Sequence, residues 1–253
     1  MAGKFIIQGL KVKCIGLVLL ALGAAGAAPA LAQSQADFVN AFSGKWQVYE
    51  QRLAAGTGLC QLDFSAHADG AHMGLTATNC APPLASAAAW AIEGSQLVLY
   101  DAQNKPVVKL GGNQKRVTGT AANNTPVILE RAGGDGTAAM LQAAYNASGC
   151  YYLGYTQACA PRSELAEPTP APDGQMQIQL LANLSVHSEP RSDADVVGTA
   201  QKGTCVAVDS CTMASDGPWC RATFGKTTGW LRKLTMRQNR WPVVTFVNSC
   251  SAK

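Results

Sequence analysis

Cysteine and histidine are the residues of this chain whose types and spacing could carry chemistry. The sequence holds nine cysteines and three histidines among 253 residues. Structural zinc sites use closely spaced pairs such as C-x₂-C with further cysteines or histidines at finger-like spacing, and neither pattern occurs. His67 and His72 flank a turn signal at Asp69-Gly70, whereas His187 lies far along the chain. We therefore predict no metal site.

Catalytic motifs are missing as well. The sequence has no G-x-S-x-G nucleophile elbow, no H-E-x-x-H metalloprotease motif, no glycine-rich phosphate loop and no dinucleotide-binding fingerprint. Distant residues could still assemble a Ser-His-Asp site, because such triads are defined by geometry. However, His67 and His72 are predicted at the tip of a hairpin, and the acidic residues are scattered. We predict a protein that is not an enzyme and takes no cofactor.

The first residues have the pattern of a secretory signal peptide. Three lysines precede the apolar run 15–28, and Ala30-Leu31-Ala32 supplies small residues for cleavage. The alternative is an uncleaved membrane anchor, but the run is shorter than the roughly 18 to 20 strongly apolar residues that a spanning helix needs. We predict a signal peptide over residues 1–32, whose removal takes Cys14 with it and leaves no membrane span.

Eight cysteines remain after that cleavage, an even number that predicts four disulfides in an exported chain. They are Cys60, Cys80, Cys150, Cys159, Cys205, Cys211, Cys220 and Cys250. The tyrosine-rich run 150–159 begins and ends with a cysteine, which predicts a loop closed at its base by a disulfide. The predicted location is an oxidising compartment, the bacterial periplasm or the extracellular space.

Charge argues against a nucleic-acid partner. Residues 33–253 keep 17 basic and 16 acidic side chains, a formal net charge of +1. They contain no run of lysine or arginine, and nucleic-acid binding depends on such a basic patch.

A proline-rich stretch divides the chain. Residues 161–174 hold four prolines and no apolar periodicity, which is typical of a stiff, extended spacer. We predict a first domain over residues 33–132, a disulfide-closed loop and proline-rich linker over 133–174, and a second domain over 175–253.

Period-two alternation of apolar and polar residues runs through the first domain. Trp46 and Val48 alternate with polar neighbours, as do Cys60, Leu62 and Phe64. This pattern predicts an antiparallel meander, and about seven or eight strands hide their edges best by closing into a small barrel. The second domain is also rich in predicted strands, so the predicted fold class is all-β.

The first domain contains Ser43-Gly44-Lys45-Trp46, Cys60, Cys80, Trp90 and the run from Gly94 to Asp101, in that order. Together these features resemble the bacterial Inh family of alkaline-metalloproteinase inhibitors and related outer-membrane lipoproteins. The resemblance covers about residues 36–132. It implies a small lipocalin-like antiparallel barrel with a Cys60–Cys80 disulfide, in which Trp46 and Trp90 fill the core.

The same resemblance implies where an inhibitor would act. In the Inh family, a flexible N-terminal segment ahead of the barrel enters the protease cleft, and its terminal amino group meets the catalytic zinc. Here the protease-binding residues would be Gln33, Ser34, Gln35, Ala36 and Asp37. The zinc would belong to the partner, a secreted or periplasmic zinc metalloprotease. The alternative is that these residues form an ordinary frayed terminus.

The second domain contains, in order, Leu184–Pro190, Val196-Val197-Gly198, Lys202-Gly203, Trp219 and Gly229-Trp230-Leu231. With these features it resembles a bacterial SH3-like domain over about residues 178–234. Such domains are small barrels that dock on cell-wall material, peptides or partner proteins. Trp219 and Trp230 would then line a ligand groove, with packing of each indole inside the barrel as the alternative.

Two disulfides would close the second domain. Its four cysteines permit three pairings, of which we predict Cys205–Cys220 and Cys211–Cys250.

The predicted function is an exported inhibitor of a bacterial metalloprotease, with the SH3-like domain as an interaction or envelope-docking module. The alternative is a noncatalytic envelope-binding protein, with peptidoglycan or an envelope protein as partner and both barrels as scaffolds.

Overall fold

The structure is a computed structural model that describes residues 34–170 and 175–250. The predicted signal peptide, Gln33 and residues 171–174 of the linker lie outside the described residues. Within the described ranges, no helix is long and apolar enough to cross a membrane.

The first domain is a closed antiparallel barrel of eight strands in chain order. Each strand pairs with the next, and β1 closes the barrel by pairing with β8, where Trp46 lies opposite Arg131. The strands are β1 Gly44–Val48, β2 Cys60–Asp69, β3 His72–Thr78, β4 Ala87–Glu93, β5 Gln96–Asp101, β6 Pro106–Gly112, β7 Arg116–Ala121 and β8 Pro126–Arg131.

Alternation of side chains explains how these strands fill the barrel. In β2, Cys60, Leu62 and Phe64 are buried while the residues between them face solvent, as the period of two requires. The rings of Phe64 and Trp90 lie 5.2 Å apart, and those of Trp46 and Phe64 lie 5.8 Å apart. Both indoles are fully buried. The predicted small barrel with a tryptophan-filled core is confirmed.

The disulfide implied for this barrel is also present. Cys60 and Cys80 are bonded, with their Cα atoms 4.4 Å apart. Closing a loop of this length contributes about 3 kcal/mol when the effect is ascribed to the entropy of the unfolded chain.

Glycine allows strands β6 and β7 of the barrel to approach closely. A Cβ atom on Gly119 of β7 would lie 2.0 Å from the carbonyl oxygen of Lys109 on β6, so the strands would have to shift. We expect Gly119→Ala to lower the free energy of unfolding by about 2 kcal/mol, measured by urea denaturation. Gly56→Ala is the matched control, because its nearest atom is 3.5 Å away. Equal stability of the two variants would contradict this reasoning.

The described residues contain two α-helices, α1 Gln35–Phe42 before the barrel and α2 Thr137–Ser148 after it. Leu141 of α2 packs with Leu234 and Val244 of the second domain. Helix α2 ends at Gly149, whose φ of +76° favours glycine.

The second domain consists of one seven-stranded and one three-stranded sheet. The larger sheet has the strand order β12-β11-β15-β14-β13-β10-β18, and the smaller has the order β16-β17-β9. The strands are β9 Tyr152–Leu153, β10 Met176–Leu180, β11 Leu184–His187, β12 Val196–Ala200, β13 Cys205–Ala214, β14 Gly217–Phe224, β15 Thr227–Arg232, β16 Leu234–Arg237, β17 Trp241–Val244 and β18 Phe246–Val247.

The predicted disulfide pairing of the second domain is wrong. Cys211 bonds to Cys220 and Cys205 bonds to Cys250. The reason is the register of the β13–β14 hairpin, which places Cys211 directly opposite Cys220. Cys205 lies at the start of β13, near the C-terminal residues that follow β18. The predicted loop disulfide, Cys150–Cys159, is present.

The proline-rich stretch was predicted to be extended, but its residues Arg162–Leu165 form a 3₁₀ helix. The Glu164 carboxylate accepts a hydrogen bond of 2.7 Å from the backbone of Asn248, and Glu167 lies 3.5 Å from Arg52 of the first barrel. This part of the linker therefore contacts both domains, and the described residues, 34–170 and 175–250, belong to one compact unit.

Candidate functional site

The N-terminal segment Ser34–Phe42 leads into the barrel as a capped helix. The backbone N–H of Asp37 donates to the Ser34 hydroxyl over 3.2 Å, and the N–H of Ser34 donates to the Asp37 carboxylate over 3.0 Å. This reciprocal pair is a capping box. Gln33 lies outside the described residues, and the other four predicted protease-binding residues, from Ser34 to Asp37, are exposed in the first turn.

The far end of this segment is held firmly by the barrel. The ring of Phe42 stacks on Trp46 at 6.1 Å, and the indole N–H of Trp46 donates to the Phe42 carbonyl over 2.8 Å. Arg131 lies 4.6 Å above the Trp46 ring and donates to the carbonyl oxygens of Ala41 and Ser43. One end of the segment is therefore fixed while the other faces solvent.

An apolar cavity of about 300 Å³ lies beside the segment at the end of the barrel. Phe38 and Phe42 form one side of it, and Ile92, Leu97 and Leu110 are among the residues opposite. None of the residues that line it is titratable. The cavity can therefore receive an apolar group, and its lining offers no acid or base beside the one hydroxyl group, that of Ser95.

The two histidines of the first domain lie on strands β2 and β3. His72 stacks on Tyr100, with ring centroids 4.1 Å apart. His67 is exposed on β2. No group of three or more potential metal-binding side chains occurs in residues 34–170 and 175–250.

The two domains meet at a buried cluster of charges. Arg116 of the barrel lies 2.9 Å from both Glu130 of the barrel and Asp216 of the second domain. The other carboxylate oxygen of Asp216 lies 3.1 Å from Arg232. Burial raises the pKa of Glu130, and the attraction of Arg116 offsets this only in part. We call these four residues the interdomain charge cluster.

The structure places Trp219 and Trp230 beside this cluster. Trp219 is fully buried and Trp230 is 9% exposed, and both pack with Ile128 of the barrel. The indole N–H of Trp219 donates to Asp216 over 3.1 Å. The two predicted groove residues thus lie close together. Their rings are buried against the first barrel, so a ligand could stack on them only if the two domains separated.

Polar contacts widen the interface. The Thr118 hydroxyl donates to Glu189 over 2.6 Å. The buried carboxylate of Glu50 accepts from the backbone N–H of Met213 over 3.1 Å, and Arg52 donates to the carbonyl of Cys211 over 2.8 Å. These contacts join residues more than 70 positions apart, so no spacing in the sequence could have indicated them.

Comparison with known proteins bears on both domains. Residues 38–131 match the family model described as protease inhibitor Inh. The barrel is thus of the Inh type. Residues 182–235 match the model of the bacterial SH3 domain, so the predicted resemblances and their order are confirmed.

Other comparisons add little to the two family matches. No curated protein matches the chain. A solved structure titled the antimicrobial peptidase lysostaphin from Staphylococcus simulans is 12% identical, with a TM-score of 0.24, over 62% of this chain and 75% of that chain.

The matched ranges leave part of the second domain unassigned. The Inh match runs from α1 to the end of β8, and the SH3 match runs from just before β11 into β16. Residues 132–181 and 236–253 belong to neither match. They include α2, the disulfide-closed tyrosine loop and strand β17.

Proposed function

We propose that this protein inhibits a bacterial zinc metalloprotease by inserting its N-terminal segment into the active-site cleft. The observation that carries the proposal is the Inh match over a barrel whose N-terminal segment is exposed at one end and anchored at the other. Catalytic zinc sites keep one coordination position open for water or substrate. A terminal amino group of the inhibitor would fill that position, so the zinc belongs to the partner.

The capped first turn does not oppose insertion. Helix α1 has only eight residues, and isolated helices of that length are marginal in water. Breaking the Ser34–Asp37 capping box costs about 1 kcal/mol. The segment can therefore extend into a cleft at small cost.

Anchoring at Arg131, Trp46 and Phe42 supports affinity. It fixes the point at which the segment leaves the barrel, and a fixed exit reduces the conformational entropy that binding must remove. The apolar cavity beside Phe38 would accept a side chain from the rim of the protease cleft.

The proposed site of action is outside the cytoplasm. Four disulfides within residues 60–250 fit an exported protein. The predicted signal peptide over residues 1–32 would direct that export, to the periplasm or the medium.

Inhibition of a serralysin-type zinc protease tests the proposal. N-terminal sequencing of the exported protein first identifies its terminal residue. We expect micromolar protein to slow hydrolysis of a peptide substrate, and a Gly-Ser extension at the N-terminus to weaken inhibition about tenfold, or ~1.4 kcal/mol. The same extension at the C-terminus is the matched control. Unchanged hydrolysis with the unmodified protein would remove the proposal.

A second candidate function, noncatalytic binding to the cell envelope, is favoured by the bacterial SH3 match. It requires a surface of the second domain other than the buried faces of Trp219 and Trp230. Co-sedimentation with purified peptidoglycan tests it, and protein that stays in the supernatant would count against wall binding.

A further inference from the structure

A concave surface lies between the disulfide-closed loop and strands β16 and β17, outside both family matches. Its volume is about 370 Å³. It is lined by Tyr152, Thr156, Gln157, Arg237 and Trp241. We call it the tyrosine-loop pocket.

Aromatic rings and guanidinium groups alternate around this pocket. Trp241 meets the ring of Tyr152 edge-on at 6.0 Å. Arg240 lies 4.6 Å above the Trp241 ring, and Arg237 lies 5.6 Å above the ring of Tyr155. Tyr155, which precedes the lining residue Thr156, is 66% exposed, and Arg240 lines a neighbouring cavity, so these two side chains lie beside the pocket and not in its wall. Stacking on aromatic rings holds the two guanidinium groups in place.

The charge of the pocket favours an anionic ligand. No aspartate or glutamate lines it. Within the described residues, neither Arg237 nor Arg240 forms an ion pair with a carboxylate. The basic side chains that do form such pairs are Arg52, Arg116, Arg191, Arg221, Arg232 and Lys233. Guanidinium groups bind carboxylates through paired N–H donors.

The backbone around the pocket disfavours an extended peptide. Strand β9 pairs with β17 on one side, and on the other side Tyr152 forms a bridge with Cys159. The N–H of Leu153 donates to the Ala158 carbonyl over 2.9 Å, and the N–H of Ala160 donates to the Tyr151 carbonyl over 2.6 Å. The loop thus occupies the edge of β9 that a peptide would need in order to add a strand.

We propose that the tyrosine-loop pocket binds a sugar chain that carries carboxylate groups. Sugar rings present apolar C–H faces that can lie on Trp241, an amphipathic ring with a large apolar area. The Gln157 side chain both donates and accepts hydrogen bonds, which suits sugar hydroxyls, whereas the Thr156 hydroxyl already donates to Leu153 and accepts from Ala158 within the loop. Arg237 supplies the donors for the carboxylate. The Cys150–Cys159 disulfide holds the loop in this arrangement before the ligand arrives.

Calorimetric titration of the whole exported protein with trigalacturonate, a carboxylated trisaccharide, tests the proposal. We expect a dissociation constant below about 1 mM at a salt concentration of about 0.15 M. Arg237→Gln and Trp241→Ala should each weaken binding about tenfold, because both side chains line the pocket and both are partly exposed. Arg221→Gln is the matched control, because it removes an exposed arginine that pairs with Asp209 instead. Thermal unfolding of each variant checks that the fold is retained.

Two further probes separate the parts of the proposal. Chitotriose is neutral and of the same length, and we expect it to bind about tenfold more weakly than trigalacturonate. Triglutamate carries the charge without sugar rings and should bind no better than chitotriose. Equal binding of triglutamate and trigalacturonate would show a site for anions or acidic peptides and would overturn the proposal that the ligand is a sugar chain. No binding of trigalacturonate up to about 10 mM, or equal binding by all four proteins, would overturn the site.

Discussion

Replacing Asp216 by alanine is expected to lower the free energy of unfolding by about 3–5 kcal/mol. The carboxylate of Asp216 contacts Arg116 at 2.9 Å, Arg232 at 3.1 Å and the indole N–H of Trp219 at 3.1 Å. Arg116 and Trp219 would each lose a hydrogen-bond acceptor, and Arg232 would lose its ion-pair partner. Urea denaturation followed by tryptophan fluorescence measures the loss, because the buried Trp219 lies at the affected position.

The expected loss is large because water cannot replace the missing carboxylate. The side chains of Asp216, Arg116 and Arg232 are 2%, 9% and 17% exposed. After the substitution, the interdomain charge cluster would contain two guanidinium groups and one carboxylate. That carboxylate belongs to Glu130, which lies 2.9 Å from Arg116. A buried charge without its partner pays a desolvation cost that an exposed one does not.

Asp209→Ala is the control for this prediction. Asp209 pairs with Arg221 at 2.9 Å on the same sheet, but both side chains are 46% exposed. Exposed pairs of this kind contribute about 0–1 kcal/mol. If Asp216→Ala costs no more than Asp209→Ala, the cluster does not hold the two domains together.

The barrel could be predicted from the sequence because its signal is local. Alternating burial along β2, from Cys60 to Phe64, is readable at a spacing of two residues. The capped helix could also have been predicted, since Ser34 and Asp37 have the spacing of a capping box, whereas the family resemblance implied a flexible protease-binding segment and the alternative was a frayed terminus.

Features that depend on register or on contacts between domains could not be predicted. The Cys211–Cys220 bond follows from a hairpin register with an irregularity between Val208 and Ser210, which no pattern specifies. The position of Trp219 depends on Ile128, about ninety positions earlier in the chain. Composition alone does not say that an apolar residue on the outer face of one barrel covers an indole of another domain.

The interface changes what the second domain can contribute. Trp219 and Trp230, which were predicted to line a ligand groove, pack against Ile128 of the first barrel, and the linker residues Glu164 and Glu167 contact the second and the first domain. The first barrel is therefore held against the second domain, while surfaces such as the tyrosine-loop pocket remain open. Binding to a protease at one end and to a second ligand elsewhere is compatible with this arrangement.

Stability should also depend on pH through Lys233. Its side chain is fully buried, and its ammonium group lies 4.8 Å above the ring of Phe246 and 4.0 Å from Glu164, with Asn248 as hydrogen-bond acceptor. Burial lowers the pKa of Lys233 from 10.5 to about 8, because Glu164 offsets the loss of hydration only in part. The folded protein therefore binds fewer protons than the unfolded chain between these two values.

The sign of the effect follows from that difference in bound protons. Where the unfolded state binds more protons, stability rises with pH, so Lys233 adds stability as the pH increases from about 8 to 10.5. A shift of this size corresponds to about 3 kcal/mol. Below pH 8 the folded state carries the full cost of a buried ammonium group.

Lys233→Met removes the titrating group and keeps the length of the side chain. We expect the stability of the wild-type protein, relative to this variant, to rise by about 3 kcal/mol between pH 8 and 10.5, measured by urea denaturation at each pH. Lys226→Met, at an exposed position, is the control and should show no such rise. A constant difference between wild type and Lys233→Met across this range would mean that the ammonium group keeps its hydration in the folded protein, because only a buried charge couples folding to the loss of its proton.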